Sequence, residues 1–374
     1  MKSPILISVV IPCYNVAQYL ERTIKCLASQ TYQNFECICI DDGSTDNTWE
    51  MLGGLQQQYD FIRSFHFNNQ GPSQARNEGA NLSKGDYIYF LDADDYFIDS
   101  LFQDIVGLIL EENYPDAVHF GYTPIKECDF TPPHQISSQP DAVVDIFEGY
   151  DAIFDNITSS LIGFSENDIY DFYKSNVFHF RVEYQSLWNN FYKRDVIDKN
   201  KVKFIKGLYL VEDRIFNAMF FAYAQRVVVT SKKYYYYIQR ESGLLKSSGK
   251  ISPVNICSAK KQAMLAREMV NELYLSMLNV DISHSYRGSN IIACFEQCIR
   301  LSQLPSIKTG YKYYNEFISS PAIQRDIKKI SIAGAPLKIK IPIILLRNNM
   351  SLLLYVLVYY ANKFGVSLKA NTTW

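Results

Sequence analysis

Apolar and polar residues fall in blocks along the first hundred positions of the chain. Ile5–Ile11 (ILISVVI) and Phe35–Ile40 (FECICI) are near-continuous apolar runs, the mark of strands buried on both faces of a parallel sheet. The first run ends in the turn Pro12-Cys13-Tyr14-Asn15, and a helix-patterned stretch follows from Val16 to Ser29. The second ends in Asp41-Asp42-Gly43-Ser44-Thr45-Asp46. Phe61–Phe67 then runs into Asn69-Gln70-Gly71-Pro72-Ser73 and a helix carrying Arg76 and Asn77. A fourth strand, Tyr87–Leu91, ends on Asp92. Repeated steps of apolar strand, Gly- or Pro-marked turn and helix predict a doubly wound α/β layer with a mostly parallel sheet.

The fourth step holds the most informative stretch, Gly85–Tyr96 (GDYIYFLDADDY), where an apolar strand meets Asp92, Asp94 and Asp95. Unpaired carboxylates beside a core are costly. A divalent cation such as Mg²⁺ or Mn²⁺, which takes oxygen ligands, removes that cost. In extended chain Asp92 and Asp94 project to the same side. The competing reading is that these aspartates cap a helix beginning near Asp99. Ligands of doubly wound sheets bind beyond the carboxyl ends of the strands. Tyr14, Asp41, Asp42, Arg76, Asp92 and Asp94 all fall at those ends.

The order SVVIPCYN, SQTYQNFECICIDDGSTDNT and NQGPSQARNEGANLSKGDYIYFLDADD resembles family 2 glycosyltransferases of the GT-A fold. The resemblance is dense over Ser3–Phe97. It continues in three short motifs: Trp188–Arg194 (WNNFYKR), Val211-Glu212-Asp213 and Arg240-Glu241-Ser242. It implies transfer of a sugar, with inversion, from a nucleotide diphosphate sugar, usually UDP-linked, to a glycan or lipid-linked acceptor. It further implies a donor site built from Pro12, Tyr14, Asn15, Asp41, Asp42, Arg76, Asn77, Asp92 and Ala93, with Arg240 and Ser242 on a loop closing over the pyrophosphate. Asp94 would hold Mn²⁺ or Mg²⁺, with Asp92 on the metal or on the ribose. Family members of this size often build capsule, O-antigen or other bacterial surface glycans, which is an analogy of fold.

The leaving nucleotide diphosphate gathers negative charge that something positive and preorganised must meet. A metal at Asp94 fits that need, and Arg76, one turn into its helix, can reach nucleotide or phosphate. Its alternative is a surface cation paired with Glu78 or Asp86. Asp41 or Asp42 can accept a base N–H, or both simply form an Asx turn before a helix capped by Ser44 or Thr45. The acceptor hydroxyl needs a base. Glu212-Asp213 opens a helix-patterned stretch, Asp213–Ala224, after an apolar run, Leu208–Val211, that reads as a strand. Consecutive helical residues point about 100° apart, so one acid of the two faces the acceptor. The resemblance assigns the base to Asp213. Without it, both acids merely suit a helix N-terminus. Trp188 resembles the wall of the acceptor pocket and equally suits a core.

Composition narrows the class. The chain has 374 residues and a net charge of −2, which gives no hint of nucleic-acid binding. Its eight cysteines show no CxxC or metal-finger spacing, so reduced core thiols in a cytoplasmic enzyme are expected. Ile5–Ile11 is too short for a signal peptide. Residues 1–250 read as the catalytic domain and 251–374 as a helical region, with helices over Pro253–Leu275, Tyr286–Gln303 and Tyr311–Ile318. Thr131–Pro140 is a Pro/Ser-rich connector, and Asp141–Lys174 lacks clear periodicity, as an insertion over the acceptor site would. The uncharged run Asn348–Asn362 is too short to span a bilayer. It reads either as a core or homodimer-interface helix or as peripheral contact with the inner membrane face. Two other classes stay open: a non-catalytic sugar-nucleotide or glycan-binding relative, and a sugar nucleotidyltransferase. The second normally needs a Gly-rich basic phosphate loop, which the PCYN turn lacks.

Overall fold

The computed structural model describes residues 4–130, 142–175, 184–208, 211–240 and 252–364. The four apolar runs form β1 (Ile7–Cys13), β2 (Phe35–Asp42), β3 (Ile62–Phe67) and β4 (Tyr87–Phe90). They lie parallel in the order β3-β2-β1-β4. Between them run α1 (Ala17–Ala28), α2 (Thr48–Gln58) and α3 (Pro72–Leu82). The sheet continues through β8 (Asn190–Lys193), antiparallel to β4, and β6 (Ala117–Lys126), antiparallel to β8. It ends on β9 (Arg226–Gln239), parallel to β6. Two shorter strands, β5 (Tyr96–Phe97) and β7 (Val144–Glu148), pair antiparallel with β9.

A proline inside a central strand is unusual, and the register explains Pro12. Ile7 donates its N–H to Asn34 on the β2 side, so by alternation the Pro12 nitrogen faces β4. The last β1–β4 pair is Val10–Phe90, so no ladder bond is missed there. Beside it, α3 packs so closely on β1 that a Cβ on Gly79 would lie 2.3 Å from Val10 Cγ1. The main core joins Ile7, Val9 and Ile11 of β1 to Leu20 and Ile24 of α1, and to Phe102 and Ile105 of α4 (Leu101–Glu111). Each such side chain contributes about 1.5–3 kcal/mol on burial. Tyr89 stacks on Phe191 at 4.5 Å, carrying the core across β4 to β8.

Residues after β7 fold as α5 (Gly149–Ile153), a π turn (Phe154–Thr158), α6 (Ser159–Ile162) and α7 (Glu166–Ser175). The stretch without clear periodicity, Asp141–Lys174, thus holds a short strand and several helical segments, with Asp141 outside the described residues. The connector Thr131–Pro140 lies outside the described residues. Further on come α8 (Arg194–Asn200) and α9 (Glu212–Tyr223). Of the expected strand Leu208–Val211, residues 209–210 lie outside the described residues, and neither Leu208 nor Val211 is in a strand. Leu208 follows a turn, and Val211 has φ 63°, a left-handed conformation incompatible with extended chain.

The chain divides into two compact units. One comprises Met1–Leu161, Glu183–Leu208 and Glu212–Lys246, and the other Ile162–Val182, Tyr209–Val211 and Ser247–Trp374. The second unit is helical: α10 (Pro253–Leu278), α11 (Arg287–Leu301), α12 (Ile307–Ile318), α13 (Pro321–Lys329), α14 (Leu337–Arg347) and α15 (Ser351–Lys363). Its core gathers Ile291, Cys294, Tyr314, Phe317, Ile323, Ile343 and Tyr355, with Tyr355 donating its hydroxyl to the Leu301 carbonyl at 2.7 Å. Among the described residues no helix is long and apolar enough to cross a membrane.

Candidate active site

The strand β4 stops at Phe90, so Asp92–Asp95 lie in a turn and not in extended chain. The same-side projection expected of Asp92 and Asp94 therefore does not apply. Different arginines hold them. The buried guanidinium of Arg76, on α3, reaches Asp92 Oδ1 at 3.2 Å and Asp213 Oδ1 at 3.4 Å. Arg76 thus joins the turn after β4 to the first turn of α9, and is not a surface cation paired with Glu78 or Asp86. Its guanidinium lies over the ring of Phe204, 5.7 Å from the centroid. Phe204 is fixed from both sides of its backbone: Asn77 Nδ2 donates to its carbonyl and its N–H donates to Asn77 Oδ1, both at 2.9 Å. Both side-chain groups of Asn77 are used in this clamp, which holds Phe204 against Arg76.

Asp94 is met by two arginines. Arg240 Nη1 donates to its Oδ2 at 2.5 Å, Arg240 Nη2 to its carbonyl, and Arg22 Nη2 to the same carbonyl at 2.5 Å. Arg240 also lies 4.5 Å from the ring centroid of Tyr19 and within 3.3 Å of Glu127. Asp95 behaves differently. It is buried, accepting from Tyr235 Oη at 2.8 Å and from the Ile238 N–H at 3.0 Å, and ties the turn to β9. Burial, reinforced by Asp94 and Asp92, raises its pKa well above the usual carboxylate range. Ala93 is buried between them, its carbonyl taken by Thr23 Oγ1.

The ends of β1 and β2 separate two adjacent aspartates by use. Asp42 accepts from the Gln70 and Gly71 N–H groups at 2.8 Å each, anchoring the start of α3, whose Gly71 has φ 89°. Each of its oxygens already accepts one backbone N–H, so Asp42 has a structural task at the start of α3. Asp41 is fully buried beneath His66, whose Nδ1 lies 2.6 Å from Asp41 Oδ2. The exposed groups here are His66 and Tyr14, the latter 50% exposed. Asn15 holds the β1 and β2 loops together: its Oδ1 accepts from the Thr45 and Asp46 N–H groups, and its own N–H donates to Ser44 Oγ. Pro12 is half-buried in β1 just before this loop.

Negative charge outweighs positive around Asp92, Asp94, Glu212 and Asp213. Burial raises the pKa of Asp94, Asp92 repels it further, and Arg240 opposes both. Burial also pushes Asp213 up to about 7, with Arg76 opposing and Glu212 and Asp92 reinforcing. Glu212 is raised as well, chiefly by burial. A divalent cation would relieve this crowding. Asp92 and Asp94 are hard oxygen donors, each about a third exposed. Among the described residues no cluster of three or more His, Cys, Asp or Glu is arranged to hold a metal. Two carboxylates completed by substrate phosphate oxygens is the usual manner of Mg²⁺ binding, so the donor set fits Mn²⁺ or Mg²⁺.

Trp188 is a core residue. It is 5% exposed and stacks on Tyr235 at 4.4 Å and along Tyr237, with Tyr122 edge-on. Its packing leaves little of the indole for an acceptor. The asparagines after it also face inward: Asn190 Oδ1 lies 3.0 Å from Nδ1 of buried His119, whose pKa burial lowers to about 4. Ser242 lies outside the described residues. Sequence reasoning missed Arg22, His66 and Phe204. No local pattern marks them; each is found through a partner distant in sequence.

A family model for glycosyl transferase family 2 matches residues 8–199, more than half of the chain. The chain belongs to glycosyl transferase family 2. It is 38% identical over 125 residues to glycosyltransferase GlyG of Streptococcus pneumoniae serotype 4, which covers 33% of this chain and 41% of that protein. It is 29% identical over 235 residues to glycosyltransferase YibD of Escherichia coli K12, covering 60% of this chain and 61% of that one. These matches span less than two thirds of either relative. Among solved structures, residues 1–349 of S. aureus TarS in complex with UDP-GlcNAc superpose with a TM-score of 0.62 at 19% identity, covering 96% of this chain and 92% of that one. That likeness is one of fold, and it is the GT-A fold.

Proposed function

We propose that the chain transfers a sugar, with inversion, from a nucleotide diphosphate sugar to a hydroxyl of a glycan or lipid-linked acceptor. The observation that carries this reading is the Arg76 bridge, which sets the donor-side carboxylate Asp92 and the candidate base Asp213 on one guanidinium. An inverting single displacement needs these two functions on opposite sides of one anomeric carbon. Asp213, ionised, takes the proton of the acceptor hydroxyl as the oxygen bonds to that carbon. The bond from carbon to phosphate breaks, and the nucleoside diphosphate leaves with its electron pair. A pKa near 7 suits a general base at neutral pH. Glu212 is its less favoured neighbour.

Asp94 and Asp92 would hold Mn²⁺ or Mg²⁺, which when bound neutralises charge on the diphosphate. Arg240 and Arg22, converging on the Asp94 backbone, position that turn. Tyr14 and His66 offer exposed rings beside the base site. A UDP-linked donor is the first to test, and assembly of a bacterial surface polysaccharide is the setting that the family resemblance supports. The test is a donor screen with the purified chain, glycan and lipid-linked acceptors and either metal, read as nucleoside diphosphate release. Metal-dependent release with one donor supports the proposal. Pyrophosphate release, or binding without turnover across the panel, contradicts it.

A further inference from the structure

The last two helices of the helical unit carry apolar side chains that the unit's own core does not use. On α14, Leu337, Ile341 and Ile344 recur at intervals of four and three residues, all exposed, Leu337 at 70%. The opposite side of that helix, Ile339, Ile343 and Leu346, is buried in the core. On α15 and its C-cap, Leu353, Leu357, Tyr360 and Phe364 repeat the spacing and are exposed, Phe364 at 77%. Leu354 and Tyr355 face the core instead. The two helices pack on each other, and both stripes turn away from the core they share. Soluble monomers rarely leave apolar side chains gathered in this way.

Charge identifies what covers them. From Ile327 to Lys363 the sequence has six cationic residues and neither Asp nor Glu, in a chain whose acids slightly outnumber its bases. Arg347 is turned inward, its Nε donating to the Ile327 carbonyl at 2.8 Å. The five lysines remain at least partly exposed. Lys338 and Lys340 fall on either flank of the α14 stripe, given about 100° of rotation per residue. A two-fold pairing of this face with a second copy would bring like-charged rims together. An anionic surface with an apolar layer beneath matches both features.

We propose that α14 and α15 lie in the plane of an anionic lipid bilayer, with the leucine and aromatic stripes in the acyl boundary and the lysines at the headgroups. At 11 and 13 residues the helices are about 17 and 20 Å long, short of the roughly 30 Å needed to span. The inference does not rest on the transferase reading, because vesicle binding needs neither donor nor acceptor.

The test is cosedimentation of the full chain with vesicles of phosphatidylcholine alone and of phosphatidylcholine mixed with phosphatidylglycerol. Binding to the mixed vesicles should be at least about tenfold stronger and should weaken with salt. Lys338→Glu with Lys340→Glu should erase the preference, and Leu353→Ser, Leu357→Ser and Phe364→Ser together should lower binding at least about tenfold. These side chains are exposed, so circular dichroism should not change; should the triple variant unfold, Leu337→Ser on the other helix repeats the measurement. Equal binding to both vesicles, or none, overturns the proposal. If in that case light scattering shows a dimer that the serine variant breaks, the face is an interface between copies.

Discussion

Replacing Arg76 with glutamine removes the cation that bridges Asp92 and Asp213 among the described residues, and its effect can be worked from the distances. Unit charges 3.4 Å apart, the Arg76–Asp213 separation, interact by about 1 kcal/mol in a water-like medium and about 5 kcal/mol at an effective dielectric of about 20. With the Asp213 side chain 28% exposed and that of Arg76 8% exposed, the interaction lies between those limits, which makes its loss worth about one to three pKa units. The direction is upward. Losing a neighbouring cation disfavours the carboxylate, and Asp92 then repels it unopposed. A base works ionised, so activity is lost as pH falls through its pKa. For the native chain that limb should lie near pH 7, and for Arg76→Gln it should move up by the same one to three units. At pH 7 the ionised fraction of Asp213 then falls from about half to a tenth or less. The assay is kcat/KM against pH, followed as nucleoside diphosphate release. Raised donor KM from the lost Asp92 contact would lower the whole profile without moving its limb, so the two effects separate. A limb that stays in place or moves down refutes the reasoning.

Asp213→Asn should lower kcat by about 10²–10⁴ while donor KM changes by only a few-fold, and Glu212→Gln should cost less; the reverse order in steady-state kinetics reassigns the base. Asp94→Ala should abolish metal-dependent nucleotide binding in titration calorimetry with little change in melting temperature, because the side chain is about a third exposed; calorimetric binding that survives, or a chelator without effect on the native chain, removes the metal from the account. Asp42→Ala should destabilise by about 1–3 kcal/mol in urea unfolding, since it removes two charge-assisted bonds from the Gln70 and Gly71 N–H groups; an unchanged midpoint would show that Asp42 does not anchor α3. Trp188→Ala should cost about 3–5 kcal/mol with acceptor KM unchanged in the folded protein, whereas a raised KM at native stability would make Trp188 an acceptor wall.

The parallel half of the sheet was legible because β1, β2 and β4 are buried on both faces and so read as unbroken apolar runs. Turn residues then placed the polar side chains at their carboxyl ends. What each of those side chains does was not legible, because it depends on partners far along the chain. Asp41 and Asp42 are identical neighbours, yet one lies under His66 and the other holds the N–H groups that open α3. Asp94 and Asp95 differ likewise: Arg240 donates to the first at 2.5 Å and lies 3.8 Å from the second, which the β9 backbone and Tyr235 bury. The resemblance placed Asn77 in the donor site, and it gave no sign that its amide spans a gap to Phe204 that only the fold creates. Leu208–Val211 read as a strand from its apolar residues, and the left-handed Val211 breaks that reading. Aromatic abundance was ambiguous throughout. Trp188 shows why, since a ring that could stack on a sugar stacks equally well on Tyr235.

In the mechanism we propose, one site holds a nucleotide diphosphate sugar on Asp92 and Asp94 and activates an acceptor hydroxyl through Asp213. The most direct measurement is nuclear magnetic resonance of a turning-over reaction with the donor found by screening. Phosphorus signals report the leaving group, and the anomeric proton coupling reports the new linkage. Free nucleoside diphosphate and a product of inverted anomeric configuration are expected, with both signals lost in Asp213→Asn. Pyrophosphate as the leaving group, or retained configuration at the anomeric carbon, would contradict the mechanism.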